Sequence, residues 1–238
     1  MPPLLSYALM THNEFTELQW LMEVIRPFQN DQTEIVVLDD FSEPPMVDYI
    51  KSQNVRFYQR ALNKNFSAQR NYLKNLCKGE FIFLLDPDEL PSPQLLADLP
   101  KVLAKMRDNS MDACCMSRLN ILVDGDSPVD ARTLTVSDAD LVHQKRDDQI
   151  RILQNVPGIY WVNHVHERMV GLRRACRLPQ QIRYALLHCK TRARQGKQNA
   201  FYRGILLRYV DKWRKSLSKR LGLIKHPQWM DVPESWLS

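Results

Sequence analysis

Phe81-Ile-Phe-Leu-Leu-Asp-Pro-Asp-Glu89 decides the fold. Its five apolar residues are too few for a helix and carry no polar interruption. They read as a strand covered on both faces, the kind that parallel sheets bury. The strand runs directly into acids, so Asp86, Asp88 and Glu89 stand at its carboxyl end, with Pro87 stiffening the turn. Ligands of open parallel sheets bind outside the carboxyl ends of the strands. Two carboxylates one residue apart can share a divalent cation, and hard oxygen ligands suit Mg²⁺ or Mn²⁺, which also bind substrate phosphates.

Outward from that strand, short apolar runs alternate with amphipathic stretches. Leu4–Met10 is expected as a first strand, followed by a helix from Glu14 to about Gln29 with Phe15, Leu18, Leu21, Met22, Ile25 and Phe28 at helical spacing. Glu34–Asp39 is β-branched and ends in acids, a second strand; Met46–Ser52 is a short helix and Val55–Tyr58 a third strand. Ser67 is expected to cap a helix to about Cys77, closed by Lys78-Gly79, and Ser92 one to about Met106. Such alternation builds right-handed βαβ units and a mostly parallel sheet flanked by helices. Beyond Asp112 the rhythm loosens. Strands are expected at Ala113–Leu119, Gln149–Gln154 and Ile182–His188, the last ending on a histidine, and Lys197–Lys219 reads as a basic amphipathic helix. The division expected is a main domain over 1–190, in two halves, 1–110 and 111–190, and a basic helical extension over 191–238.

Composition narrows the function classes. The chain has 238 residues, enough for one large α/β domain, with 44% apolar and 25% charged residues. Among its seven glycines no G-x-G-x-x-G or G-x-x-x-x-G-K occurs, which excludes a dinucleotide fingerprint and a P-loop. The five cysteines, odd in number and without a C-x-x-C, fit free thiols in a reducing compartment better than disulfides or zinc. With no signal-peptide pattern and no apolar run of about 18 residues, a cytoplasmic location is expected. The net charge of +6 is unevenly spread. Residues 168–226 hold 17 Lys/Arg against one acid, Asp211, which suggests an anionic partner or a solvated helix face.

Several segments in order resemble glycosyltransferase family 2. Ala8-Leu-Met-Thr-His-Asn-Glu14 is similar to the first strand and loop that touch the nucleotide, and Val36-Val-Leu-Asp-Asp-Phe-Ser42 to the family's aspartate pair plus serine. Asn65-Phe-Ser-Ala-Gln-Arg-Asn71 resembles the segment whose Arg-Asn starts a helix near the diphosphate, and Asp86-Pro-Asp88 the D-x-D metal motif. Arg151-Ile-Leu-Gln-Asn and Trp161-Val-Asn-His-Val-His-Glu167 look like segments of short bacterial members, several of which build lipopolysaccharide core. The resemblance covers roughly residues 4–190 and implies a GT-A fold whose catalytic domain, 1–190, has a nucleotide-binding half over 1–110 and an acceptor half over 111–190. It also implies inverting, Mn²⁺- or Mg²⁺-assisted transfer of a sugar from a nucleotide donor, a UDP-sugar first, to an acceptor hydroxyl. Under it, Thr11, Asn13, Glu14, Asp39, Asp40, Arg70 and Asp86 would bind the nucleotide sugar. Asp86, Asp88 and His188 would hold the metal, Asp88 serving catalysis.

The larger members take their base from a late E-D pair that has no counterpart here. Glu167 is the candidate base, with Asp138, Asp140, Asp147 and Asp148 as competitors, and an ion pair to Arg168 or Arg151 as its structural alternative. The acceptor expected is a saccharide or lipid-linked glycan, with the basic helix and its Phe201, Tyr202, Tyr209 and Trp213 resting on an anionic membrane at the inner face. The same basic block would equally serve a DNA glycosyltransferase of phage type, acting on a hydroxymethylated base. A third class is a non-catalytic nucleotide- or nucleic-acid-binding protein on this fold; a nucleotidyltransferase is a lesser rival, lacking its glycine-rich loop.

Overall fold

In the computed structural model, which describes residues 2–144, 147–201 and 227–237, the buried run becomes β4 (Phe81–Leu85), at the middle of the main sheet. Before it in the chain come β1 (Leu5–Thr11), α1 (Phe15–Ile25), β2 (Thr33–Asp39), α2 (Pro44–Ser52), β3 (Arg56–Gln59) and α3 (Phe66–Leu76). After it come β5 (Glu89–Pro91), α4 (Pro93–Asp108), β6 (Ala113–Val123), α5 (Asp138–His143) and β7 (Asp148–Gln154). The remaining strands are β8 (Tyr160–Val162), β9 (Arg168–Val170), β10 (Arg174–Arg177), β11 (Leu186–Thr191) and β12 (Gln228–Asp231).

The main sheet runs β12-β10-β6-β7-β4-β1-β2-β3 among the described residues, and β11 joins β6 to β5 beside it. Its pairings are parallel except around β7, which lies antiparallel between β4 and β6, and between β11 and β5. Reversal of β7 has a functional consequence. Its start, Asp148–Arg151, comes to the same end of the sheet as the carboxyl ends of β1, β2 and β4.

Alternate residues of β1 face opposite ways, as the pleat requires. Tyr7 and Leu9 pack with Leu18, Leu21 and Ile25 of α1 and with Leu95, Leu99 and Val102 of α4. Ala8 packs on the other side with Val36, Leu38 and Leu73 of α3. Helices thus cover both faces, which is why β4 carries no polar residue. Gly79 lets the α3–β4 turn close: a Cβ there would stand 2.5 Å from the Ser6 backbone nitrogen.

Three expectations change. The cap of α3 is Asn65, whose side-chain oxygen accepts from the Ala68 amide at 3.0 Å; Ser67 lies inside the first turn and donates to that same oxygen. The run from Ile182 is not one strand. Ile182–Tyr184 forms a 3-10 turn that buries Tyr184, whose hydroxyl lies 3.4 Å from Asp98 of α4, and the strand starts only at Leu186. His188 therefore sits inside β11 rather than at a strand end. Of the basic helix expected over Lys197–Lys219, residues 197–201 belong to a helical stretch 192–201, and 202–219 lie outside the described residues. No helix among the described residues is long and apolar enough to cross a membrane.

Candidate active site

A cavity of about 590 Å³ opens at the carboxyl ends of β1, β2 and β4. Thr11, His12 and Glu14 after β1, Asp40 after β2, and Asp86, Pro87 and Asp88 after β4 form one wall. The rest of the lining comes from Arg70 of α3, Arg118 and Asn120 of β6, Asp148 and Arg151 of β7, Glu167, His188 and Lys190 of β11, and Gln195 and Gln198.

The sheet aims the two β4 acids at different partners. Asp86 meets Arg151 Nη2 at 3.0 Å and Arg70 Nη2 at 3.6 Å. Burial would raise its pKa, but these two guanidiniums outweigh burial and hold it below the usual carboxylate range. Asp88 Oδ2 faces Lys190 Nζ at 3.3 Å, Arg194 Nη2 at 3.5 Å and His188 Nε2 at 3.6 Å. Burial again pushes upward, yet His188, Lys190 and Arg194 keep its pKa far below ordinary. The third acid of the motif, Glu89, does not line the cavity. It is fully buried and accepts from Arg151 Nη2 at 2.5 Å and Arg118 Nη1 at 2.9 Å, fixing both arginines.

Glu14 shares Arg194 with Asp88, at 2.5 Å. Burial first, and then the Asp88 charge, raise the Glu14 pKa to about 8 despite Arg194. Two carboxylates around one guanidinium cannot both ionise cheaply, and Glu14 is the one that keeps its proton. Arg194 also pairs with Glu17 of α1, so the start of the 192–201 helix is tied to α1.

Glu167 lines the cavity and accepts from Arg70 Nε at 3.1 Å, so Arg70 bridges Glu167 and Asp86. Neither Arg168 nor Arg151, the partners weighed from sequence, is paired with it. Among the competing acids, only Asp148 reaches the cavity, tied to Ser117 at 2.9 Å and to Arg177 at 3.0 Å. Asp138 accepts from the Ile182 amide, Asp140 closes a capping box with Ser137, and Asp147 pairs with Arg118.

The expected nucleotide-binding residues divide. Thr11, Glu14, Asp40, Arg70 and Asp86 line the cavity together. Asp39 and Asn13 do not. Asp39 is fully buried and spends its oxygens on the Ser42 amide and hydroxyl and on Gln59, turning the chain after β2. Asn13, at φ 57°, accepts from the Glu43 amide and its own amide donates to Ser42, joining the loops after β1 and β2. Asn71 likewise holds the backbone of Trp161 by two hydrogen bonds of 2.8 Å.

Sequence reasoning missed Lys190, Arg194 and Asn120. The two cations lay inside the basic block, where nothing marked them from their neighbours: Lys190 belongs to β11 and Arg194 to the helical stretch that follows it.

The sequence model of the family described as Glycosyl transferase family 2 matches residues 6–174. Among solved structures, the chain is similar to S. aureus TarS 1–349, at 17% identity and TM-score 0.46, over 66% of this chain and 50% of that one. The complex of TarS 1–349 with UDP matches over the same shares at 17% identity and TM-score 0.47. Its complex with UDP-GlcNAc matches over 79% of this chain and 58% of that one, at 14% identity and TM-score 0.46. The chain thus spans half to three-fifths of the length of those structures. No curated protein sequence matches it.

Proposed function

The chain belongs to glycosyl transferase family 2, and from that premise we propose that it moves a sugar from a nucleoside diphosphate, UDP first, to an acceptor hydroxyl with inversion. Its mixed α/β sheet with helices on both faces fits the GT-A fold of that family. The observation that carries the proposal is the convergence of Asp86 and Asp88 with Arg70 and Lys190 in one cavity at the strand ends, with Arg194 beside Asp88. A diphosphate needs cations, and this convergence concentrates them where a parallel sheet binds ligands.

Asp88 Oδ2 and His188 Nε2, 3.6 Å apart, offer a hard oxygen and an imidazole nitrogen to Mn²⁺ or Mg²⁺, and an ion held there would take the place that Lys190 and Arg194 now occupy on that oxygen. Among the described residues no three Asp, Glu, His or Cys gather into a cage, so such an ion would depend on the donor's own oxygens. Bound there, the ion would neutralise charge on the departing diphosphate. Asp86, held by its two arginines, is assigned to positioning Arg70 rather than to the metal.

Glu167 is the proposed base. It takes the proton of the acceptor hydroxyl as the oxygen forms its bond to C1, and the C1–O bond to phosphate breaks with its electron pair leaving on the diphosphate. Arg70, touching both Glu167 and Asp86, would fix the base relative to the donor. The acceptor proposed is a saccharide or lipid-linked glycan, for which Trp161 and Met169 add apolar surface to the cavity.

Slow donor hydrolysis, with water as acceptor, provides a test that needs no identified acceptor. Proton NMR on UDP-sugars with Mn²⁺ is expected to record free UDP and a sugar of inverted anomeric configuration, both lost in Asp88→Asn. Retained configuration, or unchanged release in Asp88→Asn, would overturn the proposal.

A further inference from the structure

His188 occupies the middle strand of a three-stranded patch, opposite Glu89 of β5 on one side and Asn120 of β6 on the other. Its Nδ1 lies 2.6 Å from Asn120 Oδ1. Which of those atoms carries the proton is settled one step further out. Asn120 Nδ2 donates to Asp147 Oδ2 at 2.8 Å, and Arg118 grips the same oxygen through Nη2 at 2.7 Å. Burial would raise the Asp147 pKa, but hydrogen bonds from Asn120 and Arg118 hold it below the ordinary range. Asp147 is therefore a carboxylate, which only accepts. Asn120 must turn its NH₂ towards it, and this leaves the amide oxygen, an acceptor, facing His188. The imidazole must then donate from Nδ1.

We propose that Asn120 and Asp147 are positioning residues that lock His188 with a proton on Nδ1 and aim Nε2 at Asp88 and the donor's metal–diphosphate group. This rests on the reading of His188 as a ligand on that side of the cavity. A histidine that binds a cation commonly donates its other ring nitrogen to a fixed acceptor, which sets tautomer and ring orientation together. Here the acceptor is an amide, and a carboxylate clamped by Arg118 fixes the amide. Free imidazole favours the opposite tautomer, so the relay has something to hold. Arg118 adds stiffness, because its Nη1 is anchored on the buried Glu89 at 2.9 Å.

The test uses the full chain with ¹⁵N-labelled histidine, the His188 signals being identified by their loss in His188→Gln. Long-range proton–nitrogen spectra are expected to give a protonated Nδ1 in the wild type, and a population lacking that Nδ1 proton in Asn120→Leu. Asp147→Asn, isosteric and gentler on folding, should give an intermediate population because Asn120 is then free to flip. An unprotonated Nδ1 in the wild type, or an Nδ1 as fully protonated in both variants as in the wild type, would overturn the relay. A second readout is Mn²⁺ affinity in the presence of UDP, followed by electron paramagnetic resonance of free Mn²⁺. Asn120→Leu is expected to weaken it roughly ten- to a hundred-fold, and an unchanged affinity counts against the aim of Nε2. Absence of Mn²⁺ binding in the wild type would instead strike the metal assignment of the proposed function, while the spectra still decide the relay.

Discussion

Glu167 and Glu14 each carry a consequence that a single substitution tests. If Glu167 is the base, Glu167→Gln should lower kcat by roughly a hundred- to ten-thousand-fold while UDP affinity stays within a few-fold. Asp148→Asn, on another carboxylate of the cavity, should leave the chemical step far less affected, and steady-state kinetics of the two variants side by side decides between them. Glu14 makes a different prediction. Its pKa is raised from 4.5 to about 8, so between those values the folded chain holds a proton that the unfolded chain has lost. Stability from this site is full below about 4.5 and declines as pH rises through that window. Thermal melts across it should fall less steeply in Glu14→Gln than in the wild type. The site was only partly legible in the sequence. Asp86 and Asp88 announced themselves at the end of an apolar strand, and Glu14, Asp40 and Arg70 followed from the resemblance. Lys190 and Arg194 did not, because a cation within a basic run looks alike whether it faces solvent or a carboxylate about a hundred residues earlier in the chain.

Elements deliver these side chains, and α3 delivers Arg70. Its first turn depends on Asn65, whose oxygen serves both the Ala68 amide and the Ser67 hydroxyl. Asn65→Ala should cost about 1 kcal/mol, measured by denaturant unfolding. Apart from the short β5, the strands and helices before Met111 were readable largely from hydrophobic period, since each βαβ unit buries one stripe per helix and both faces of each strand. Reversal of β7 was not readable. Its sequence, Asp148–Gln154, has the same alternation in either direction, and only the pairing with β4 and β6 sets its sense. The 3-10 turn at Ile182–Tyr184 escaped for a related reason: Tyr184 is apolar enough for a strand, but its burial is against α4 rather than in a sheet.

At the scale of the whole molecule, the chain's end returns to the catalytic sheet. β12 pairs with β10 along Gln228–Asp231, and Trp236, 9% exposed, packs into the core cluster shared with α4. Trp236→Ala should therefore cost about 3 kcal/mol in denaturant unfolding, as for a core aromatic; a tail that merely rests on the surface would cost far less. The cavity is likewise a property of the whole, drawing on the segments after β1, β2 and β4, on β6, β7 and β11, and on a helix from beyond residue 191. We propose it as a metal-assisted nucleoside diphosphate site. Calorimetric titration of a panel of nucleoside diphosphates, with and without Mn²⁺, examines that claim most directly. At least one is expected to bind, at least about ten-fold tighter with Mn²⁺, with Asp88→Asn removing the metal's contribution and sparing the metal-free affinity. Failure of every diphosphate to bind, or an equal gain from Mn²⁺ in Asp88→Asn, would contradict it.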